Sequence, residues 1–175
     1  MLGGQYVNGK QIAFTIETIV ARDRILDMPA NRLLVARITM TAVMVSTTIA
    51  TFVLDWSPNH LLNPLWHPHA KFHGALLLFM LAWMSATSCW MMWRKSSEGE
   101  VAVGVSALLA LSFWTPLFYI TSRLPGSTSW AGAAAKDPRL TGSLVTPNLA
   151  VAALFILLSV AGCWLSRGTG EADWV

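Results

Sequence analysis

The sequence is poor in charged residues, and this scarcity excludes most soluble folds. Only 12% of its 175 residues are Asp, Glu, Lys or Arg, about half the share that is usual in soluble domains. Hydrophobic residues make up 54%, and a helix needs roughly 20 apolar residues to cross a bilayer. Four runs are long enough, namely 33–54, 72–93, 101–121 and 148–165. We therefore predict an all-α, integral membrane four-helix bundle surrounded by membrane lipid. The net charge of +3 is spread over the loops, which argues against a nucleic-acid partner.

Cysteine is scarce as well. Cys89 and Cys163 both fall within predicted spans, so the fold does not depend on a framework of disulfides. The chain also has no Gly-rich phosphate loop, no nucleophile elbow and no CxxCH haem motif, which removes the enzyme classes that these motifs mark.

The first 31 residues lack the compact apolar core of a cleavable signal peptide. Ile12, Ile16 and Ile19 fall on one face of a helix, which predicts an interfacial amphipathic helix lying on the bilayer. A helix that docks on a partner is the alternative. The chain then divides into an N-terminal interfacial segment (1–31), a four-span membrane domain (32–167) and a C-terminal tail (168–175).

Lysine and arginine are distributed unequally between the two sides of the predicted bundle. Eight lie on the side of both termini, namely Lys10, Arg22, Arg24, Arg32, Arg37, Arg94, Lys95 and Arg167. Four lie on the other side, namely Lys71, Arg123, Lys136 and Arg139. Because loops rich in basic residues stay in the cytoplasm, we expect both termini to be cytoplasmic. The loop between the first two spans then faces the opposite side.

Histidine is confined to one stretch of fourteen positions. His60, His67, His69 and His73 lie between the first two spans or at the start of the second. If the second helix begins near Pro68, then His69 and His73 are one turn apart on the same face. Three interpretations compete. The histidines bind a metal ion, they transfer protons, or they form structural hydrogen bonds at the membrane surface. Proton transfer is an option because histidine side chains titrate near neutral pH.

The supply of other ligands limits the metal interpretation. Asp55 and Asp137 are the only carboxylates predicted on the histidine side of the membrane, which is too few for a carboxylate-bridged di-iron centre. A metal would be a single Zn, Cu or Fe ion, held by His67, His69 and His73 or by two histidines and Asp55. Asp55 is also a candidate catalytic group, with a solvated helix end as the alternative.

Pro116 falls inside the third apolar run. Proline removes a helix hydrogen bond, so we expect a kink that opens a pocket between the second and third spans. Trp114, Phe118 and Tyr119 are the candidate walls of this pocket, close to His73. Core packing and anchoring at the membrane surface are the alternatives for these side chains.

The segment from Trp66 to His73 resembles the W-x-x-H-A-[RK]-F-H signature of an uncharacterised family of small four-span membrane proteins. The matching residues are Trp66, His69, Ala70, Lys71, Phe72 and His73, with further agreement at Pro116, Tyr119, Pro125, Gly126, Trp130, Asp137 and Pro138. The resemblance covers most of residues 33–165. The resemblance implies a four-span fold and a functional role for His69 and His73. It supports such a role for His67 less strongly, and it implies no activity.

Two functions fit these observations. One is a small membrane enzyme that acts on a lipophilic substrate at the non-cytoplasmic surface, with His69, His73 and Asp55 as metal ligands or acid–base groups. Oxidation, isomerisation and cyclisation of such a substrate all fit. The other is a non-catalytic accessory or scaffold subunit, within a homo-oligomer or a larger membrane complex.

Overall fold

The computed structural model describes residues 29–128 and 146–169. The helices within these ranges are α1 (Pro29–Asp55), α2 (Pro68–Trp93), α3 (Gly99–Trp114), a 3₁₀ helix (Thr115–Phe118), α4 (Ile120–Arg123) and α5 (Pro147–Ser166). The predicted interfacial helix, up to residue 28, lies outside the described residues, as do Asp137 and residues 170–175 of the tail.

Among the residues that the structure describes, four helical stretches are long and apolar enough to cross a membrane. They are Asn31–Asp55, Pro68–Trp93, Gly99–Phe118 and Pro147–Ser166. The predicted all-α four-helix membrane bundle is therefore confirmed, and the chain is an integral multi-pass membrane protein.

Local sequence signals determine where the helices begin. His67 caps α2, because its Nδ1 accepts a hydrogen bond from the His69 N–H at 3.2 Å, and Pro68 occupies the first helical position. Thr146 caps α5, since its hydroxyl accepts a hydrogen bond from the Leu149 N–H at 3.4 Å, and Pro147 occupies the first helical position. Proline suits this position, since the N–H that it lacks would have no partner there.

Pro116 ends the third helix instead of bending it. The α-helix stops at Trp114 and the chain continues as the 3₁₀ helix of residues Thr115–Phe118. Proline has no N–H to bond to the carbonyl four residues earlier, and its ring crowds that carbonyl. The expected kink is thus replaced by a change of helix type near the end of the bundle that carries the histidines.

The buried core residues come mainly from α1 and α3; both helices pack most extensively against α5, and both also contact α2. The core residues are small or of medium size, among them Ala36, Met40, Val43, Met44, Met92, Val103, Ala107 and Ala110. Small side chains let helix backbones approach closely, which favours association inside a bilayer. Large apolar side chains face outward instead, as Trp83 does at 74% exposure, so the surface of the bundle is suited to lipid.

Side-chain hydrogen bonds join the helices within this apolar interior. Trp114 Nε1 donates to Thr47 Oγ1 at 3.0 Å, which links α3 to α1. Thr48 Oγ1 donates to Ser85 Oγ at 2.7 Å, which links α1 to α2. Both bonds satisfy polar groups in the interior of the bundle, where an unpaired donor would be unfavourable.

Candidate functional site

The loop of residues 56–67 folds back over the end of the bundle. The His60 N–H donates to the Ser57 carbonyl at 3.0 Å, and the Leu61 N–H donates to the Asp55 carbonyl, also at 3.0 Å. The first bond closes a turn within the loop, and the second ties the loop to the last residue of α1. They hold Leu61 in a buried position and bring His60 close to the end of that helix.

Gly74 lets the loop lie directly on α2. A Cβ atom at this position would lie 2.9 Å from Leu61 Cδ1 and 3.7 Å from Trp66 Cζ3. The Trp66 ring in turn meets the His60 ring edge-on, with 5.9 Å between the centroids. The loop is therefore seated on α2 through two apolar side chains, and one of these also contacts His60.

Asp55 and His60 form a polar pair at this end of the bundle. His60 Nε2 lies 3.8 Å from Asp55 Oδ1, and the two side chains are 36% and 40% exposed. The distance is within the range of an ion pair but longer than a hydrogen bond. Both groups remain accessible to water on one side.

A cavity of about 190 Å³ lies beneath the loop, bordered by α1, α2 and the end of α3. Its polar lining comes from Asp55, His60 and Thr51. Its apolar lining includes Leu61, Trp66, Leu77, Leu78, Leu81 and Phe113. An apolar space with a few converging polar groups is the usual form of a small-molecule site.

The four histidines do not gather at one point. His60 borders the cavity and His67 caps α2, whereas His69 and His73 lie on an exposed face of α2 and do not line the cavity. The prediction that His69 and His73 share a helix face is confirmed, since their Nε2 atoms are 3.0 Å apart. The cluster expected from sequence spacing separates into a cavity residue, a cap and a surface pair.

The three-ligand metal sites expected from the sequence are not formed. Among the residues that the structure describes, no three His, Cys, Asp or Glu side chains are placed to bind one metal ion together. His67 instead caps α2, with its Nδ1 accepting the N–H of His69. Asp55 does not join His69 and His73 either, because its nearest charged partner is His60, beside the cavity.

None of the three residues predicted to form the walls of a pocket, Trp114, Phe118 and Tyr119, lines this cavity. Trp114 is only 7% exposed, packed in the interior with its Nε1 bonded to Thr47. Phe118 and Tyr119 are 52% and 49% exposed, because the chain leaves the α-helical path at Pro116. Phe113, one position earlier and therefore about 100° around the helix, lines the cavity instead.

Asp55 was predicted from the sequence as a site residue, whereas His60, Leu61 and Gly74 were not. One signal was available: Ser57, Pro58 and Asn59 favour a tight turn, and such a turn brings a residue five positions beyond Asp55 back toward the helix end. The role of Gly74 had no comparable signal, because it depends on which side chain of the loop lies against it.

The comparisons with known proteins identify a family and no more. Neither a curated protein nor a solved structure matches the chain significantly. Residues 37–169, about three quarters of the chain, match the model of a Family of unknown function (DUF6640), and the chain belongs to that family.

Proposed function

We propose that the chain is a small membrane enzyme that binds one apolar end of a lipophilic molecule in the cavity beneath the 56–67 loop. Asp55 and His60 act on the polar group of that molecule by proton transfer. The observation that carries this proposal is the position of a carboxylate and an imidazole, 3.8 Å apart, in the lining of a largely apolar cavity. The proposal gives His60 the role expected for His69 and His73, because His60 lines a space that a substrate can enter.

The size of the cavity limits what it holds. At about 190 Å³ it is slightly larger than the engineered cavity of about 150 Å³ that binds benzene. It is smaller than the roughly 300–1,000 Å³ of sites that enclose whole drug-sized ligands. A single ring or a short branched segment therefore fits inside, and the rest of the molecule extends into the bilayer.

The cavity also adjoins the lipid-facing surface. Leu77 lines the cavity and is 61% exposed on the outside of α2. A lipophilic molecule therefore has a short lateral route from the bilayer to the cavity, past an apolar side chain that changes rotamer readily. Asp55 and His60 contact the polar group of that molecule at the water-accessible end of the cavity.

The chemistry is general acid–base catalysis. His60 accepts a proton from the substrate at Nδ1 and returns it at a second position, while the Asp55 carboxylate, which faces Nε2, stabilises the imidazolium that forms in between. Isomerisation and cyclisation consist of such proton transfers. Oxidation needs an electron acceptor in addition. The 3.8 Å separation suits a resting state, since catalytic hydrogen bonds often shorten only when substrate is bound.

A pair of Leu→Trp variants tests whether the cavity binds a molecule. Leu78 lines the cavity and is 4% exposed, whereas Leu76, two positions away, is 50% exposed and does not line it. We expect protein extracted with its surrounding lipid to carry a lipophilic molecule at higher abundance than the bulk membrane does. Leu78→Trp should lose this enrichment because the indole fills the space, and Leu76→Trp should keep it. Mass spectrometry of the extracts gives the measurement.

Overpacking by Leu78→Trp destabilises a core by about 1–3 kcal/mol, so each variant is first checked for helix content and elution volume. Equal enrichment in both folded variants would contradict the proposal. An accessory or scaffold subunit, the alternative function, would keep its partners in both variants and show no enriched molecule in either.

We propose further that the cavity end faces away from the cytoplasm. Among the described residues, five Lys or Arg lie at the opposite end of the bundle, namely Arg32, Arg37, Arg94, Lys95 and Arg167. Two lie at the cavity end, namely Lys71 and Arg123. The asymmetry supports cytoplasmic termini by the positive-inside rule.

A further inference from the structure

A second pair of titratable side chains lies on α2, apart from the cavity. The Nε2 atoms of His69 and His73 are 3.0 Å apart, and the two rings are perpendicular, with centroids 4.4 Å apart. Both side chains are exposed, and neither has a role in the proposed acid–base chemistry. Two imidazole nitrogens this close, on one face of one helix, are the arrangement by which helices present paired histidines to a metal ion.

We propose that His69 and His73 form a two-ligand site for a divalent d-block cation. Imidazole nitrogens bind such ions at about 2.0–2.1 Å. Two nitrogens 3.0 Å apart at that bond length subtend roughly 95° at the ion. This angle is close to the 90° of square-planar and octahedral shells, which Cu²⁺ and Ni²⁺ favour, and smaller than the tetrahedral angle favoured by Zn²⁺.

Phe72 restricts the orientation of both rings. It stacks on the His69 ring, with an interplanar angle of 13° at 6.3 Å, and meets the His73 ring edge-on at 5.5 Å. Because all three side chains project from one and a half turns of the same helix, the two rings start close together, and an ion that binds displaces the hydrogen bond between their Nε2 atoms. Both side chains are exposed, so water can supply further ligands.

The surroundings select for ions with a strong preference for nitrogen. The pair lies in the first two turns of α2, where the helix dipole disfavours cations, and Lys71 adds a positive charge nearby. No carboxylate accompanies the two histidines in a three-ligand group among the described residues. Mg²⁺ and Ca²⁺, which bind oxygen ligands, are therefore rejected, and Cu²⁺ is expected to bind most tightly.

Electron paramagnetic resonance of Cu²⁺ bound to the full, untagged chain tests this site. The spectrum should show coupling to two imidazole nitrogens at a stoichiometry of one ion per chain. His69→Ala and His73→Ala should each weaken binding by at least about tenfold, since changes that only affect the orientation of a ligand already cost about 10–100-fold. His67→Asn, which removes the imidazole but keeps a capping side chain, and His60→Ala are the matched controls and should leave both the affinity and the spectrum unchanged.

Equal Cu²⁺ binding by the wild type and the His69→Ala/His73→Ala double variant would overturn the site, as would an equal loss in His67→Asn. Four coupled nitrogens would also contradict it, because ligands beyond this pair would then complete the shell. Because the His69 and His73 side chains are exposed, their replacement should leave the chain folded, and helix content verifies this for each variant. The site does not depend on the cavity, so the molecule enriched in wild-type extracts should be retained when His69 and His73 are replaced.

Discussion

His60 differs from His69 and His73 in its surroundings, although all three lie within fourteen positions of each other. His60 is fixed by backbone hydrogen bonds of the loop and faces an aspartate and an apolar space. The other two project from a regular helix, away from the cavity, and contact each other. The sequence spacing correctly predicted the surface pair, because helix periodicity fixes the relation of residues four apart. It could not predict the role of His60, because the direction of a loop side chain depends on how the loop closes.

Replacement of His60 tests the acid–base role apart from binding. His60→Gln keeps a polar side chain of similar reach but cannot be an acid or base near neutral pH, so turnover should fall by about 10²–10⁴-fold, the usual contribution of such a group. The cavity itself stays apolar and open. Extracts of the variant should therefore contain unreacted substrate where the wild type contains a mixture with product. An identical set of molecules in both extracts would contradict a catalytic role for His60.

The element that forms the site is the loop of residues 56–67 together with the first turns of α2. The beginning of α2 could be predicted from Pro68, since proline at the first helical position is a strong local signal. The change of helix type at Pro116 was only partly predictable: proline indicates an interruption, but tertiary packing decides between a kink and an end. The side chains that line the cavity, such as Phe113 in place of Trp114, follow from the rotation of α3 about its axis. The weak amphipathicity of a membrane helix does not reveal this rotation.

Two Gly→Ala variants test how closely the loop lies on α2. A methyl group at Gly74 would lie 2.9 Å from Leu61 Cδ1, whereas one at Gly104 would meet nothing within 4 Å. Gly104→Ala should be neutral or stabilising by up to about 1 kcal/mol, because alanine favours helix over glycine by that amount. Gly74→Ala should gain less, since Leu61 must move, and should reduce the enrichment of the bound molecule. Thermal unfolding and extract analysis of the two variants provide the comparison, and the same result in both would show that the loop is not seated on Gly74.

At the scale of the whole molecule, the four-span architecture was predictable from composition and run length alone. Each span agrees with its predicted run to within four residues at either end, because roughly 20 apolar residues are needed to cross the bilayer. The match of residues 37–169 to an uncharacterised family is consistent with the resemblance noted in the sequence. The short signature around Trp66 and His73 is not tested by that match and stays a prediction.

Cysteine labelling tests the orientation of the bundle. Asn59 and Ser97 are both exposed and lie in loops at opposite ends. If the termini are cytoplasmic, a membrane-impermeant thiol reagent should label Asn59→Cys in intact cells or sealed right-side-out vesicles. Ser97→Cys should react only after the membrane is opened. The reverse pattern would place the cavity on the cytoplasmic side.

The proposed function requires a lipophilic molecule in the cavity beneath the 56–67 loop. An experimental density map of the wild-type chain in a lipid nanodisc, prepared with its native lipids, is the strictest test of this requirement. We expect non-protein density between Leu61, Leu78 and Phe113, continuing past Leu77 into the bilayer. The polar group of the molecule should lie within about 3.2 Å of His60 Nδ1, the distance that proton transfer requires. A cavity that is filled by Leu61 or that contains ordered water alone would show that no such molecule is bound.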